Sequence, residues 1–149
     1  MNKNILKYQE RIGCTIDVLV GELRQIVGVK ALIHFRVKNP ESLRKKMWLK
    51  NTEDIFLIDD VYGIRIIVKS VNEAYEVLGK ISSAFPGYLD HDYIKEPKVR
   101  INEPHKGEKL RLLQFVAFKN GVPFEIQITT SVFHATNRLL HEGYKKSQL

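Results

Sequence analysis

The 149-residue sequence predicts an α+β domain in which helices flank a mixed β-sheet. Three observations predict it. Apolar residues recur at helical spacing near the start, after the central strand and towards the end. Strict alternation marks the stretches 64–69 and 124–129. The order of the pieces is helix, strand, basic helix, strand, helix, loop, hairpin, helix. With 44% hydrophobic residues the chain can bury a substantial core, so one domain is expected over residues 1–149, with an N-terminal helix to 28 and the body of the domain from 29.

Residues 3–27 place Ile5, Tyr8, Ile12, Ile16, Leu19, Leu23 and Ile26 at steps of three and four, the period of an amphipathic helix that covers a sheet. Gly13 and Gly21 weaken it. A strand follows from Val29 to Lys38 and stops at Asn39-Pro40, a good helix N-cap followed by a favoured first helical residue. The next helix is short and basic and runs to about Leu49. The central strand carries Ile64, Ile66 and Val68 on one face and Arg65, Ile67 and Lys69 on the other, with Asp59 and Asp60 at its mouth.

Ser70 to Glu73 matches a capping box and opens a helix whose core face is Val71, Ala74, Tyr75, Leu78, Ile81 and Phe85, ending at Pro86-Gly87. Residues 88–110, with prolines at 97 and 104 and mixed charges, read as an irregular surface loop. A hairpin then joins Leu110–Phe118 to Val122–Thr130 through Asn120-Gly121. In its second arm Phe124, Ile126 and Ile128 alternate with Glu125, Gln127 and Thr129, which puts Glu125 on the polar face. A last helix from about Ser131 carries Val132, Phe133, Thr136, Leu139, Leu140 and Tyr144, with His134 and His141 on one side.

The net charge of +7 and a pI near 9.5 favour an anionic partner, either nucleotide phosphates or nucleic acid. The single cysteine, Cys14, excludes an internal disulfide and a cysteine metal cluster. It fits a reducing compartment. The start, Met-Asn-Lys-Asn, lacks a signal peptide's apolar run and no window reaches membrane-span length, so the expected location is cytoplasmic.

Two constellations carry chemistry. Arg36 and Lys38 share one face of the first strand, while Ser42 and Lys46 share one face of the helix that follows. All four converge near a helix N-terminus, where backbone N–H groups favour phosphate. The same pattern also fits a solvated face, because Arg44, Lys45 and Lys50 make this helix basic throughout. The second constellation is Asp59-Asp60 with Arg65 five residues beyond Asp60, which suits a cation and a nucleotide and equally suits an ordinary turn into a strand. The histidines lack metal-ligand spacing, and no serine, histidine and acid arrangement suggests a hydrolytic nucleophile.

Taken together, Arg36-Val-Lys-Asn-Pro-Glu-Ser-Leu-Arg-Lys-Lys-Met47, Asp60-Val-Tyr-Gly-Ile-Arg-Ile-Ile-Val68, Asp92-Tyr-Ile-Lys-Glu-Pro-Lys98, Glu125-Ile-Gln-Ile-Thr-Thr130 and His141-Glu-Gly-Tyr-Lys145 resemble, in order, the synthetase domain of the RelA/SpoT family. The resemblance implies a fold related to polymerase β nucleotidyltransferases. It also implies transfer of the β,γ-pyrophosphate of ATP to the 3′-hydroxyl of GDP or GTP, the alarmone synthesis of the stringent response.

Position by position, the resemblance makes Arg36 and Arg65 the groups that stack on the two faces of adenine, a role that suits planar guanidinium. Lys38, Ser42 and Lys46 then hold the ATP phosphates. Asp60 binds Mg²⁺, and Glu125 shares the metal or accepts the proton of the 3′-hydroxyl. Lys98 neutralises charge on the transferred group or on the acceptor. Tyr144 and Lys145 match the family's Tyr-Lys and are read as packing with a phosphate contact.

The chain departs from the pattern where the family continues after Pro-Lys with Asn-Gly-Tyr-Gln-Ser-Leu-His. Counting back from Glu125, Leu110 stands at the position of the tyrosine that stacks on guanine, and Gln114 at the histidine. His91 replaces the usual basic residue before Asp-Tyr-Ile, and Thr129 an arginine. The donor half therefore matches and the acceptor half is altered. Two other readings keep part of the resemblance: a toxin-like relative that pyrophosphorylates the 3′ end of tRNA, motivated by the basic stretch from Lys95 to Arg111, and a non-catalytic nucleotide or RNA binder.

Overall fold

The computed structural model describes residues 2–28, 30–37, 40–51, 62–101 and 103–137, with backbone alone for 2–14, 35–37, 40 and 62. Helix α1 spans Asn2–Val27, and Ile16, Leu19 and Leu23 are buried at the predicted spacing. It ends where Gly28 turns to φ 79° and its N–H donates to the Arg24 carbonyl at 3.0 Å. Strand β1 is Leu32–Val37, three residues shorter at its start than predicted, because residues 30 and 31 form the turn out of α1. Helix α2, Pro40–Leu49, begins on the predicted proline and buries Leu43 and Met47, one turn apart.

Strand β2 is Tyr62–Val68 and helix α3 is Val71–Ala84. Ser70 caps α3 by accepting from the Glu73 N–H at 3.2 Å, while Glu73 Oε2 accepts from the Lys69 N–H at 3.2 Å. This is the predicted capping box with its return bond displaced by one residue. The core face of α3 is rotated from the predicted one. Ala74, Val77 and Ile81 are buried, whereas Val71 and Tyr75 are exposed at 36% and 38%. Tyr75 faces outward because its hydroxyl donates to Asp92 Oδ2 at 2.7 Å, and its pKa is pushed up to about 12 by burial, then by the bond to Asp92 and its charge.

The region predicted to be an irregular loop contains three strands: β3 (Gly87–Asp92), β4 (Lys98–Val99) and β5 (Lys109–Leu110). Strand β3 enters the main sheet at an edge. At its start Gly87 has φ 158°, and a Cβ there would stand 2.0 Å from the Val116 carbonyl oxygen, so the chain approaches β6 as only glycine permits. Strands β4 and β5 form a separate two-stranded sheet. The predicted hairpin is present as β6 (Leu113–Lys119) and β7 (Val122–Thr130). Lys119 pairs with Val122, which leaves Asn120 at φ 52° and Gly121 at φ 77°, a two-residue turn with both centres left-handed. A final helix, α4, is described over 131–137.

The main sheet has the order β1-β2-β7-β6-β3, with β2 and β7 parallel and the other pairs antiparallel. The architecture is thus the predicted α+β type with a mixed sheet flanked by helices. One face, with Ile64, Ile66, Phe124, Ile126 and Ile128, packs against α1, α2 and α3. The opposite face is covered in part. Ile67, predicted to be on the open face, is 5% exposed, and Thr129, its partner on β7, is fully buried.

The hydrogen bonds explain this burial. Thr129 Oγ1 donates to the Arg111 carbonyl at 2.8 Å, and Asn137 of α4 donates from Nδ2 to the same carbonyl at 3.0 Å. Thr130 caps α4 by accepting from the Phe133 N–H at 3.2 Å. Val132, predicted among the apolar residues of this helix, is 74% exposed, and Thr136 is exposed as well. Among the described residues no helix is long and apolar enough to cross a membrane.

Candidate active site

Residues paired across a sheet project to the same side, and so do residues two apart on one strand. The register therefore assembles the face of the sheet opposite the core without further assumption. Arg36 pairs with Gly63, and Gly63 with Glu125. One step further, His34 pairs with Arg65, Arg65 with Gln127, Gln127 with Gln114, and Gln114 with His91. Five strands thus contribute one polar row, and beside it lies a second row that holds Arg36 and Glu125 on either side of a glycine. The core residues Ile64, Ile66, Ile126 and Ile128 point the other way.

The side chains in these rows are joined. The Arg65 guanidinium donates through Nε and Nη2 to Gln127 Oε1 at 2.9 and 2.6 Å, and Gln127 Nε2 donates to Glu125 Oε1 at 3.3 Å. From α4, His134 brings Nδ1 to 3.4 Å from Arg65 Nη1, and its ring meets that of His34 edge to face at 6.0 Å. A two-toothed grip on one carbonyl oxygen fixes the guanidinium plane, and the chain Arg65, Gln127, Glu125 ties a cation to a carboxylate through a neutral amide.

At the β3 end, Gln114 Nε2 donates to Asp90 Oδ2 at 3.1 Å, and His91 stacks on Tyr93. The Tyr93 hydroxyl is raised above its ordinary value by burial first, then by the negative charges of Asp90 and Glu125.

The structure treats the predicted site residues unevenly. It brings Arg65 and Glu125 together through Gln127, and Arg36 lies in the Glu125 row by backbone register. Ser42 is exposed in the first turn of α2 and Lys46 half-buried one turn later. Lys98 is exposed in β4, paired with Leu110 in the separate small sheet, and no described contact links it to the polar rows. Lys38, Asp59, Asp60, His141, Tyr144 and Lys145 lie outside the described residues.

Sequence reasoning missed Gln127, His34, His134, Asp90 and Tyr93 as site members. For Gln127 a signal was present, since it alternates in phase with Glu125. For the others only the register of strands distant in sequence reveals the grouping. Among the described residues no cluster of three or more His, Cys, Asp or Glu side chains could hold a metal ion. Glu125 nonetheless has the chemistry of one ligand of a hard cation: it is a half-buried carboxylate, paired in the ladder with Gly63.

The chain is similar to known proteins in sequence and in fold. The family model for the region found in RelA / SpoT proteins matches residues 35–148. A GTP pyrophosphokinase of Haemophilus influenzae is 31% identical over 147 residues, 95% of this chain and 18% of that protein. A guanosine-3′,5′-bis(diphosphate) 3′-pyrophosphohydrolase of the same organism is 33% identical over 106 residues, 69% of this chain and 14% of the relative. The chain thus spans less than a fifth of the length of these two curated relatives.

Among solved structures, small alarmone synthetase 1 from Bacillus subtilis bound to its product pppGpp superposes with a TM-score of 0.71 at 21% identity, covering 97% of this chain and 81% of the other. That likeness supports the fold. With the family match running unbroken from the end of β1 through β7 and beyond, the chain belongs to the RelA/SpoT family.

Proposed function

We propose that the chain transfers the β,γ-pyrophosphate of ATP to the 3′-hydroxyl of a purine nucleotide, with GDP or GTP as the acceptor. The observation that carries this reading is the row Arg36, Gly63, Glu125, flanked by Arg65 held on Gln127. In support, the backbone register puts Arg36, Arg65 and Glu125 in adjoining rows of the sheet face opposite the core.

In the reaction the acceptor's 3′-oxygen forms a bond to the β-phosphorus as the bond from that phosphorus to the α-bridging oxygen breaks, and AMP leaves with the electron pair. Such transfers depend on positioning and charge neutralisation rather than on a covalent intermediate. Arg36 and Arg65 orient the adenine, the latter with its plane set by Gln127. Lys38, Ser42 and Lys46 take the phosphates near the start of α2. Glu125 shares the metal or accepts the 3′-hydroxyl proton, and its tie to Gln127 holds the carboxylate in line. Asp60 and Glu125 would hold Mg²⁺, which would supply charge neutralisation for the phosphates. Lys98 serves the transferred group or the acceptor only if the β4–β5 hairpin bends towards the sheet.

A second reading has RNA as acceptor. It draws on the exposed Lys95, Lys98, Lys106 and Lys109 in and around the β4–β5 hairpin. One assay separates the readings: ATP labelled at the γ-phosphate is incubated with protein and Mg²⁺, adding GDP, GTP, ADP or tRNA in turn. Label in a guanine nucleotide, lost in Glu125→Ala and Asp60→Ala, is the expected result. Label in tRNA alone supports the second reading, and ATP binding without transfer to any acceptor overturns both.

A further inference from the structure

In the family pattern the acceptor base stacks on a tyrosine whose position here is Leu110. Leu110 is half-buried in β5 and paired with Lys98. An aliphatic side chain in that setting offers no π face. An aromatic surface stands elsewhere, at the β3 end of the polar row. The rings of His91 and Tyr93 stack with centroids 4.6 Å apart and planes 12° from parallel. The turn that carries Tyr93 is pinned: Asp92 Oδ1 accepts from the N–H groups of Ile94 and Lys95 at 3.1 and 2.9 Å, and the Tyr93 N–H donates to the Leu112 carbonyl at 2.9 Å. The His91 side chain is 48% exposed, which leaves ring area for a further layer.

A carboxylate adjoins this stack. The register of β3 against β6 shifts between Leu89 and His91, and a bulge of this kind re-aims the residue it contains, here Asp90. Asp90 Oδ2 accepts from Gln114 Nε2 at 3.1 Å, and Oδ1 stands 3.7 Å from His91 Nε2. A carboxylate has about four acceptor sites, so these neighbours orient it without using it up. The polar row runs from His91 through Gln114 to Gln127, whose Nε2 donates to Glu125, so the stack and the carboxylate assigned to the 3′-hydroxyl share one face of the sheet.

We propose that the His91–Tyr93 stack and Asp90 form the seat of the acceptor's base, and that the seat selects guanine. The inference rests on the pyrophosphotransferase reading and names its acceptor site in this chain. Guanine presents two adjacent donors, N1–H and N2–H, to a carboxylate, whereas adenine presents a donor beside an acceptor whose lone pair faces the negative charge. Stacking supplies affinity that every base shares, and Asp90 supplies the discrimination. Gln114 acts as a positioning residue for Asp90.

The test reads binding directly, by calorimetric titration of GDP, of inosine diphosphate, which lacks the N2 amine, and of ADP. Wild-type protein is expected to bind GDP about tenfold or more tightly than inosine diphosphate, the scale of one charge-assisted hydrogen bond. Asp90→Asn should bring that ratio close to one. Tyr93→Leu should weaken both nucleotides about fivefold or more, and Tyr93→Phe should restore them. Titration of a non-hydrolysable ATP analogue into each variant reports on its fold and donor site.

Failure of wild type to bind GDP, or an unchanged GDP affinity and ratio in Asp90→Asn and Tyr93→Leu, overturns the seat. The two readings fail separately. If GDP binds as expected but never receives the γ-label, the base seat stands and the reaction falls. If Asp90→Asn and Tyr93→Leu label GDP as wild type does, the reaction stands and the seat falls.

Discussion

Replacing Gly63 with valine is expected to stabilise the sheet and to weaken ATP binding, two effects of opposite sign from one side chain. Gly63 has ladder partners on both sides, Arg36 and Glu125, so its backbone is extended and suits any residue. A glycine inside a strand costs about 0.5–1 kcal/mol relative to alanine, and valine is a good strand former. A gain of that size raises Tm by about 1–4 °C in a domain of this length.

The cost falls on the ligand side. In the ladder Gly63 separates Arg36 from Glu125, which stand two strand spacings apart, roughly 10 Å. Glycine inside a strand often marks where a ligand comes close to the backbone. Valine would put two methyls between the arginine assigned to adenine and the carboxylate assigned to the metal. Loss of a single stacked or charge-assisted contact is worth about 1–3 kcal/mol, so the Kd for a non-hydrolysable ATP analogue should rise at least about tenfold. Thermal melting and calorimetric titration on the same preparation measure both quantities. An affinity within about threefold of wild type would refute the placement of the donor nucleotide over this row. A clear fall in Tm would instead show that Gly63 serves the backbone.

Gly87→Ala should destabilise by about 1–3 kcal/mol in urea unfolding without a change in m, because its Cβ would stand 2.0 Å from the Val116 carbonyl oxygen. The Tyr75 hydroxyl has its pKa raised from 10.0 to about 12 in the folded chain, so the stability it contributes is complete below pH 10 and is lost as pH rises through about 12. Denaturant midpoints compared between wild type and Tyr75→Phe at pH 9, 10, 11 and 12 should converge with increasing pH, and parallel curves would remove the Asp92 bond from the account of that region.

Much of this fold was legible because period and burial agree. Phe124, Ile126 and Ile128 alternate and are fully buried, and Asn120-Gly121 supplies the left-handed turn that the hairpin needs. Strand β3 escaped notice for the opposite reason. It is an edge strand whose residues Tyr88 to His91 are all exposed, so no apolar alternation announces it. Helix α3 was assigned its length correctly and its face wrongly, since Tyr75 prefers the Asp92 carboxylate to the core and Val77 takes the buried position. Ile67 shows a limit of two-sided strand reading: the second face of β2 is also covered where Thr129 and α4 close over it. The grouping of Arg65 with Gln127 was invisible locally, because it follows from a parallel pairing of strands 62 positions apart.

That pairing also fixes which side chains of β7 face the polar row. Side chains alternate with period two, so sliding β7 by one residue along β2 would move Phe124, Ile126 and Ile128 onto the open face and drive Glu125 and Gln127 into the apolar layer beneath. The penalty for burying a carboxylate there far exceeds that of any change on the polar face. The core therefore holds Glu125 opposite Gly63 and Gln127 opposite Arg65 whatever the neighbouring loops do. Leu110, in the small hairpin, and His91, on the edge strand, lie outside that constraint, whereas Thr129 is within it, paired with Ile67 and with its hydroxyl satisfied by the Arg111 carbonyl and Asn137.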